Sequence, residues 1–407
     1  MGERTKKRLV VKVGTNTLTG GEDRLARPAM QGVARQIARF VRDGHQVALV
    51  SSGAIVAGRE ALSVGRNGKA ASARGEDAND GEGPHNAGAA LGTPAPRRSA
   101  PASARMRDIP FKQVLAAVGQ TRLMQMWDDL FPKEDLIVAQ TLLTRADLAD
   151  RQGYLNARNT LLALLERQVV PIINENDVVA TEEIKIGDND NLSALVANLI
   201  DADLLILLTD QNGLYTADPR RHSTAMLIHE VPVISNDIIA LAAGAGTSRG
   251  TGGMATKLQA ARLATESGVT VVVAGGTTDN VLARSVTGEQ VGTRFPSSRT
   301  RMESRKRWIL AGLAGKAAAH IDAGAMAAMG RGRSLLPAGV VTVKGPFDRG
   351  DSVNIIGPGG KAVGCGVANY SAADLERIKG CRSPQITAIL GYNFGDEVIH
   401  RNNVVML

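Results

Sequence analysis

The sequence predicts an α/β fold: a three-layer sandwich with a mainly parallel central sheet, followed by a small β-rich domain. Short apolar runs alternate with segments of helical spacing along most of the chain, which is the order of elements in a parallel sheet with helices on its faces. Towards the C-terminus, short apolar runs are separated by glycine and proline turns, which favours a β-rich unit. A chain of 407 residues is long enough for two or three domains.

Apolar runs of strand length, rich in β-branched residues, mark the strands of the sheet. They are Arg8–Val13, Gln46–Val50, Leu136–Gln140, Val169–Ile173, Leu204–Leu208 and Thr270–Ala274. Between them lie segments in which apolar residues recur with helical spacing. The predicted helices are Pro28–Arg42, Gln113–Leu130, Asn156–Arg167, Asn191–Leu199 and Met254–Ser267. Two further strands, Val340–Val343 and Ser352–Ile356, are predicted in the C-terminal part.

The polar stretch Pro296–Lys306 divides the chain. We predict one domain over residues 1–295, a linker over 296–306 and a β-rich domain over 307–407. Residues 66–107 interrupt the first domain with a segment made largely of Ala, Gly, Pro, Ser and Arg. Such a segment cannot bury enough apolar area to offset the entropy lost when its backbone is ordered. We therefore expect residues 66–107 to be a disordered surface insertion.

The composition argues against several classes of protein. No apolar run approaches the roughly 20 residues that span a bilayer, and the N-terminus has no signal-peptide core. Cys365 and Cys381 form no Cys-x-x-Cys pair, and the six histidines show no metal-ligand spacing. We expect a cytoplasmic protein without a membrane segment or a disulfide framework.

Polar and small residues follow four of the predicted strands at the point where each strand ends. They are Lys12, Gly14 and Thr15, then Ser51, Ser52 and Gly53, then Asn174, Asn176 and Asp177, then Thr209 and Asp210. In an open parallel sheet, ligands bind beyond the carboxyl ends of the strands. The four groups are therefore expected to line one site.

A glycine-rich run from Gly250 to Lys257 precedes a predicted helix. Its glycines allow close approach of the backbone to a bulky anion, the helix offers free N–H groups, and Lys257 adds a full charge. Phosphate is the ligand that these features suit. The run is not a Walker A motif, because no Gly-Lys pair of the chain is followed by Ser or Thr. A flexible linker is the alternative.

Two carboxylates and two amides stand in a row at Asp188-Asn189-Asp190-Asn191. One such residue is enough to cap the helix that follows. Four of them suit a site that recognises an ammonium group and orients lysines or Mg²⁺.

Three of these motifs resemble signatures of the amino acid kinase superfamily: Val11–Thr15, Ser51–Ile55 and Thr209–Pro219. Three more stretches, Asn174–Asp177, Lys185–Ser193 and Gly250–Lys257, narrow the resemblance to the branch that phosphorylates the γ-carboxylate of L-glutamate. Gly332–Val340 resembles the PUA domain that many bacterial members carry. The resemblance covers nearly the whole chain, and the segment 66–107 is its main departure.

The resemblance implies the amino acid kinase fold and a reaction that converts ATP and L-glutamate to ADP and γ-glutamyl phosphate, the first step of proline biosynthesis. The acceptor carboxylate is already ionised at neutral pH, so the reaction needs charge neutralisation more than a general base. We expect Lys12 and Lys257 to neutralise the migrating phosphoryl group. The resemblance implies that Asp190 holds these lysines in place.

The resemblance also implies where the two substrates bind. Glutamate would contact Ser52, Asp177 and Asn189, with Asn174 and Asp188 beside them. ATP would lie against Lys12, Gly14, Thr209 and Asp210 and against the run Thr251, Gly252, Gly253, Met254, Ala255, Thr256 and Lys257. Mg²⁺ would bridge the phosphates of ATP without a direct protein ligand.

Other interpretations stay open. Aspartokinases and uridylate kinases share the superfamily signatures, and an RNA-binding role would use the basic C-terminal region. That region has few aromatic residues for base stacking, which makes a nucleic-acid partner a weak prediction. The resemblance implies feedback inhibition by proline and a homo-oligomer. It leaves open whether a glutamyl phosphate reductase is a partner.

Overall fold

The computed structural model describes residues 6–72, 109–180, 188–243, 253–297 and 313–406. Seven strands of the first domain form one sheet: β1 (Arg8–Val13), β2 (Gln46–Ser51), β3 (Val138–Leu143), β4 (Val170–Glu175), β5 (Leu204–Thr209), β6 (Thr270–Gly275) and β7 (Thr293–Phe295). Its longer helices are α2 (Arg27–Arg42), α3 (Ala54–Ser72), α4 (Ile109–Leu130), α6 (Arg151–Glu166), α7 (Asp188–Leu199) and α9 (Met254–Glu266). Shorter ones are α1 (Thr15–Thr19), α5 (Arg145–Ala149), α8 (Asn236–Ala243) and α10 (Val281–Thr287).

The strand order is β3-β4-β2-β1-β5-β6-β7, and every pairing is parallel except that of β7 with β6. Because successive side chains of a strand point to opposite faces, Leu9 and Val11 pack into one hydrophobic core and Val10 into the other. Helices α2 and α4 cover the first face, and α6, α7 and α9 cover the second. The predicted three-layer α/β fold is confirmed.

Most predicted elements are present, with shifted ends. Helix α6 begins at Arg151 rather than Asn156, because the Asp150 carboxylate accepts a hydrogen bond from the Gly153 N–H and caps an earlier first turn. Strand β3 covers Val138–Leu143, not Leu136–Gln140.

Helix α3 continues to Ser72, so its last turns overlap the start of the predicted insertion at residues 66–107. Residues 73–107 of that segment and residues 298–306 of the predicted linker lie outside the described residues. The domain limits therefore stay a prediction.

The C-terminal domain is built on a five-stranded mixed sheet of order β12-β11-β10-β8-β9. Its strands are β8 (Leu313–Ile321), β9 (Val340–Lys344), β10 (Ser352–Ile356), β11 (Ala362–Val367) and β12 (Val404–Met406). Its helices are α11 (Ala323–Gly330), α12 (Ala372–Ile378) and α13 (Ile386–Leu390). Both predicted C-terminal strands, Val340–Val343 and Ser352–Ile356, belong to this sheet.

One face of helix α6 contacts the C-terminal domain. Arg151 pairs with Asp351 at 2.7 Å, and the Arg158 Nε donates to Asn403 Oδ1 at 2.9 Å. Between them, Leu155 packs against apolar residues of β11 and β12. Of the helices in the described part of the chain, none combines the length and the apolar character that a membrane crossing requires.

Candidate active site

The carboxyl ends of β1, β2, β4 and β5 open into one cleft, as their polar residues predicted. Its lining includes Gly14, Ser52, Asp177 and Asp210, each contributed by the end of a different strand or the loop that follows it. Gly53 has a φ of 112°, a conformation that favours glycine, and it turns the chain from β2 into α3.

Lys12, Asp190 and Lys257 form a buried charge cluster at this cleft. Lys12 Nζ lies 2.6 Å from Asp190 Oδ1, and Lys257 Nζ lies 3.2 Å from Asp190 Oδ2. The three residues are 5%, 1% and 5% exposed. Alternation along β1 puts Lys12 on the same face as Val10, where α7 and α9 pack, and these helices carry Asp190 and Lys257 in their first turns.

Burial and close charges shift the pKa values of Asp190 and Lys257 within the cluster. Burial opposes the ionisation of Asp190, but the two ammonium groups outweigh it and lower its pKa from 3.8 to about 2. Burial lowers the pKa of Lys257 below its ordinary 10.5; the Asp190 carboxylate opposes this shift, and the charge of Lys12 adds to it. Two ammonium groups side by side at the cleft suit an anionic ligand.

Thr256 also contacts the cluster, because its hydroxyl lies 2.7 Å from Asp190 Oδ2 and donates to it. Gly253 is the residue before α9, and a Cβ built on it would meet no atom of the described residues within 4 Å. The Met254 side chain belongs to the hydrophobic core, so the nucleotide could contact only its backbone. Ala255 is partly buried against the same core. Thr251 and Gly252 lie outside the described residues.

A chain of hydrogen bonds joins three of the residues that are predicted to bind the substrate glutamate. Asn189 Nδ2 donates to Ser52 Oγ at 3.0 Å and to Asn174 Oδ1 at 2.9 Å. Asn174 Nδ2 donates in turn to Gln120 Oε1 at 2.8 Å. The Asn189 Oδ1 atom is buried and has no hydrogen-bond donor within the described part of the chain. Asp188 is the first residue of α7, next to this chain in sequence.

A second carboxylate, Asp210, lies at the end of β5. It accepts hydrogen bonds from Asn16 Nδ2 at 2.9 Å and from the Thr209 hydroxyl at 3.0 Å. Burial opposes the ionisation of Asp210, but these two hydrogen bonds help to keep its pKa below the usual value. Among the residues that the structure describes, no three His, Cys, Asp or Glu side chains are close enough together to hold a metal ion.

Comparison with known proteins follows the same division of the chain. The model of the amino acid kinase family matches residues 7–275, and that of the PUA domain matches residues 318–390. A glutamate 5-kinase of Herpetosiphon aurantiacus is 51% identical over 399 residues, which are 98% of each chain. The chain belongs to the glutamate 5-kinase family.

Two other relatives in this family support the assignment. The glutamate 5-kinases of Dehalococcoides mccartyi and Deinococcus radiodurans are each 47% identical, and their alignments cover at least 98% of both chains. A solved UMP kinase from Bacillus anthracis aligns with a TM-score of 0.45 at 16% identity, over 73% of this chain and 98% of its own. The resemblance inferred from the motifs is confirmed at the level of the family.

Two residues that hold side chains of the candidate site were not predicted from the strand ends. Asn16 holds Asp210, and Gln120 holds Asn174. Asn16 directly follows the strand-end residues Gly14 and Thr15, so its position was a usable signal. Gln120 lies inside helix α4, where neither spacing nor composition distinguishes it from other polar helix residues.

Proposed function

We propose that this chain transfers the γ-phosphoryl group of ATP to the γ-carboxylate of L-glutamate, the first step of proline biosynthesis. A carboxylate oxygen attacks the γ-phosphorus, the bond from that phosphorus to the β–γ bridging oxygen breaks, and ADP leaves with γ-glutamyl phosphate as the product. The observation that carries this proposal is the pair of buried lysines on one carboxylate, at a cleft where two anions must meet.

In this proposal, Lys12 and Lys257 neutralise the phosphoryl group as it moves between two negative partners. Both side chains are buried, and attraction between charges is screened less in the protein interior than in water. Burial therefore strengthens the attraction of the two ammonium groups for the phosphoryl group. Asp190 holds both ammonium groups and accepts no proton, since its pKa of about 2 keeps it ionised at neutral pH. The acceptor carboxylate is ionised as well, so no base has to remove a proton.

The glutamate subsite is proposed to consist of Ser52, Asn189, Asp177 and Asn174. Because Ser52 Oγ accepts from Asn189, its own hydroxyl hydrogen can donate to a carboxylate of the substrate. Asn189 Oδ1 and the Asp177 carboxylate can accept from the α-ammonium group. Asp188 begins the same helix as Asn189 and stays in this set as a proposal.

ATP is proposed to lie between the end of β5 and the start of α9. Gly14, Thr209, Asp210 and Lys257 of α9 line the cleft, and the free N–H groups in the first turn of α9 would donate to the phosphates. Gly253 leaves room for the phosphates to approach the backbone. We propose that Mg²⁺ enters with ATP as part of the co-substrate, bridging its phosphates.

The proposal is tested by ADP release from the purified protein with MgATP and one acceptor at a time: L-glutamate, L-aspartate, N-acetylglutamate or UMP. We expect release with L-glutamate alone, and inhibition by added proline would support feedback at the glutamate subsite. Efficient release with another acceptor, or none with glutamate, would contradict the proposed function. Size-exclusion chromatography of the same sample tests the expected homo-oligomer.

A further inference from the structure

Helix α4 contacts both strand ends that carry the proposed glutamate subsite. Trp127 Nε1 donates to Ser51 Oγ at 3.0 Å, and Gln120 Oε1 accepts from Asn174 Nδ2 at 2.8 Å. The two α4 residues are about two helical turns apart and so share a face of the helix. One face of α4 therefore contacts Ser51, which precedes Ser52, and also contacts Asn174.

The position of α4 is fixed by an unusually close crossing with α3. A Cβ added to Gly119 would lie 1.8 Å from the Ala54 carbonyl oxygen, and one added to Gly58 would lie 1.9 Å from that of Leu115. The two backbones are thus in direct contact, which only glycine allows at these positions. Helix α3 starts immediately after Gly53, so the crossing ties Gln120 to the turn that follows β2.

The hydrogen bonds of the three amides all run in one direction. Asn174 donates to Gln120 and accepts from Asn189, which leaves the Asn189 Oδ1 atom buried and without a donor in the described part of the chain. At the other end, Gln120 Nε2 is a buried donor that likewise has no acceptor there. An amide can turn over and exchange its donor and acceptor ends. In the present arrangement the Gln120 oxygen accepts from Asn174, and the oxygen of Asn174 accepts from Asn189.

We propose that Gln120 is a positioning residue for the acceptor amino acid, an inference that rests on the proposed glutamate kinase function. By holding Asn174, it makes Asn189 present an oxygen to the substrate ammonium group. Without that hydrogen bond, Asn174 and Asn189 can both reverse, and Asn189 then presents an N–H group that repels the ammonium. The residue acts on binding of the amino acid and contacts neither ATP nor the lysine cluster.

The test compares three substitutions in the full-length protein. Gln120→Met removes the acceptor with little change of shape, and Gln120→Glu keeps an acceptor oxygen at the same reach. Gln125→Met makes the same change at an exposed position of the same helix and serves as the control. For each protein, KM is measured for glutamate and for MgATP, together with kcat and the melting temperature with and without MgATP.

We expect Gln120→Met to raise the glutamate KM about tenfold or more, with kcat and the KM for MgATP within about twofold of the wild type. Gln120→Glu should have a glutamate KM close to that of the wild type, and Gln125→Met should match the wild type in kcat and in both KM values. An unchanged glutamate KM, equal changes in both KM values, or no recovery by Gln120→Glu would overturn the inference while the proposed function stands. If the wild-type protein released no ADP with glutamate, the inference about Gln120 and the proposed function would both be contradicted.

Discussion

Lys12 Nζ lies 2.6 Å from Asp190 Oδ1, and both side chains are almost fully buried. Removing these charges from water is costly, and an isolated pair of this kind is weak evidence for stability. The second cation, Lys257, lies on the other oxygen of the same carboxylate. Two buried ammonium groups this close repel each other in the empty protein and are stabilised once a phosphate lies beside them, so we interpret the cluster as a device for catalysis.

Acid should weaken the folded state through Asp190. Its pKa is about 2 in the folded protein and 3.8 ordinarily, so its ionised form contributes stability above pH 3.8 that is lost as the pH falls towards 2. Between pH 5 and 2, the free energy of unfolding should fall by on the order of 2 kcal/mol more in the wild type than in Asp190→Asn. Urea unfolding at several pH values measures this, and parallel losses in both proteins would contradict it.

Alkaline pH should lower turnover through Lys257. Its pKa lies below 10.5 because the side chain is buried, and only the protonated form can neutralise a phosphoryl group. As the pH rises through this pKa the charge is lost, so kcat should begin to decline below pH 10.5. The guanidinium of Lys257→Arg stays protonated, and the decline should move to higher pH even if the plateau is lower. If kcat of Lys257→Arg declined at the same pH as kcat of the wild type, the decline would belong to another titrating group.

Substitution of Asp177 should affect the amino acid substrate and spare the nucleotide. Asp177 lines the cleft together with Asn174 and lies in the loop that follows β4. Asp177→Asn removes the charge that pairs with the ammonium group, and a charged hydrogen bond of this kind is worth about 1.5–3 kcal/mol. Steady-state kinetics should show a glutamate KM raised at least about tenfold at constant KM for MgATP. A comparable rise in both constants would place Asp177 elsewhere in the mechanism.

Arg158 should be the main stability determinant of the contact between the domains. It is 2% exposed and donates to the Leu199 carbonyl, to Asp201 Oδ2 at 2.5 Å and to Asn403 Oδ1 at 2.9 Å. Arg158→Ala removes a buried cation that donates to three acceptors, so the free energy of unfolding should fall by about 3 kcal/mol.

The control for this prediction is Arg167, the residue that directly follows helix α6. The Arg167 side chain is exposed and donates to the Ala163 carbonyl, four residues earlier in the chain. Arg167→Ala should change the free energy of unfolding by less than about 0.5 kcal/mol. If urea unfolding gave the two variants similar stability, the proposed importance of Arg158 would be wrong.

The sequence predicted the sheet well because its strands are buried on both faces. Runs such as Leu204–Thr209 are apolar throughout, and their ends are marked by a sudden change to polar residues. Element ends set by local hydrogen bonds were predicted less well. The Thr144 hydroxyl and the Asp147 carboxylate form a capping box that starts α5 directly after β3, and Asp150 then starts α6.

The candidate site was predictable in its residues but not in its distances. The resemblance to the amino acid kinase superfamily predicted that Asp190 would hold Lys12 and Lys257, and all three meet in one cluster. Gln120 could not be predicted, since its contact depends on the crossing of two helices at Gly58 and Gly119. Those helices are separated in sequence by the segment around residues 73–108, and no local pattern reports how closely they pack.

The most direct test of the central claim is a double-mutant cycle on kcat with Asp190→Asn and Lys257→Met. Each single change should lower kcat by about 10²–10³-fold. Because Asp190 acts by positioning the lysines, the double variant should lose at least about tenfold less than the product of the single losses. The exposed pair Arg262 and Glu266 on α9 provides a control cycle that should leave kcat unchanged. Losses that simply multiply would mean that Asp190 and Lys257 act independently, and would contradict the claim that one carboxylate organises the two lysines for phosphoryl transfer.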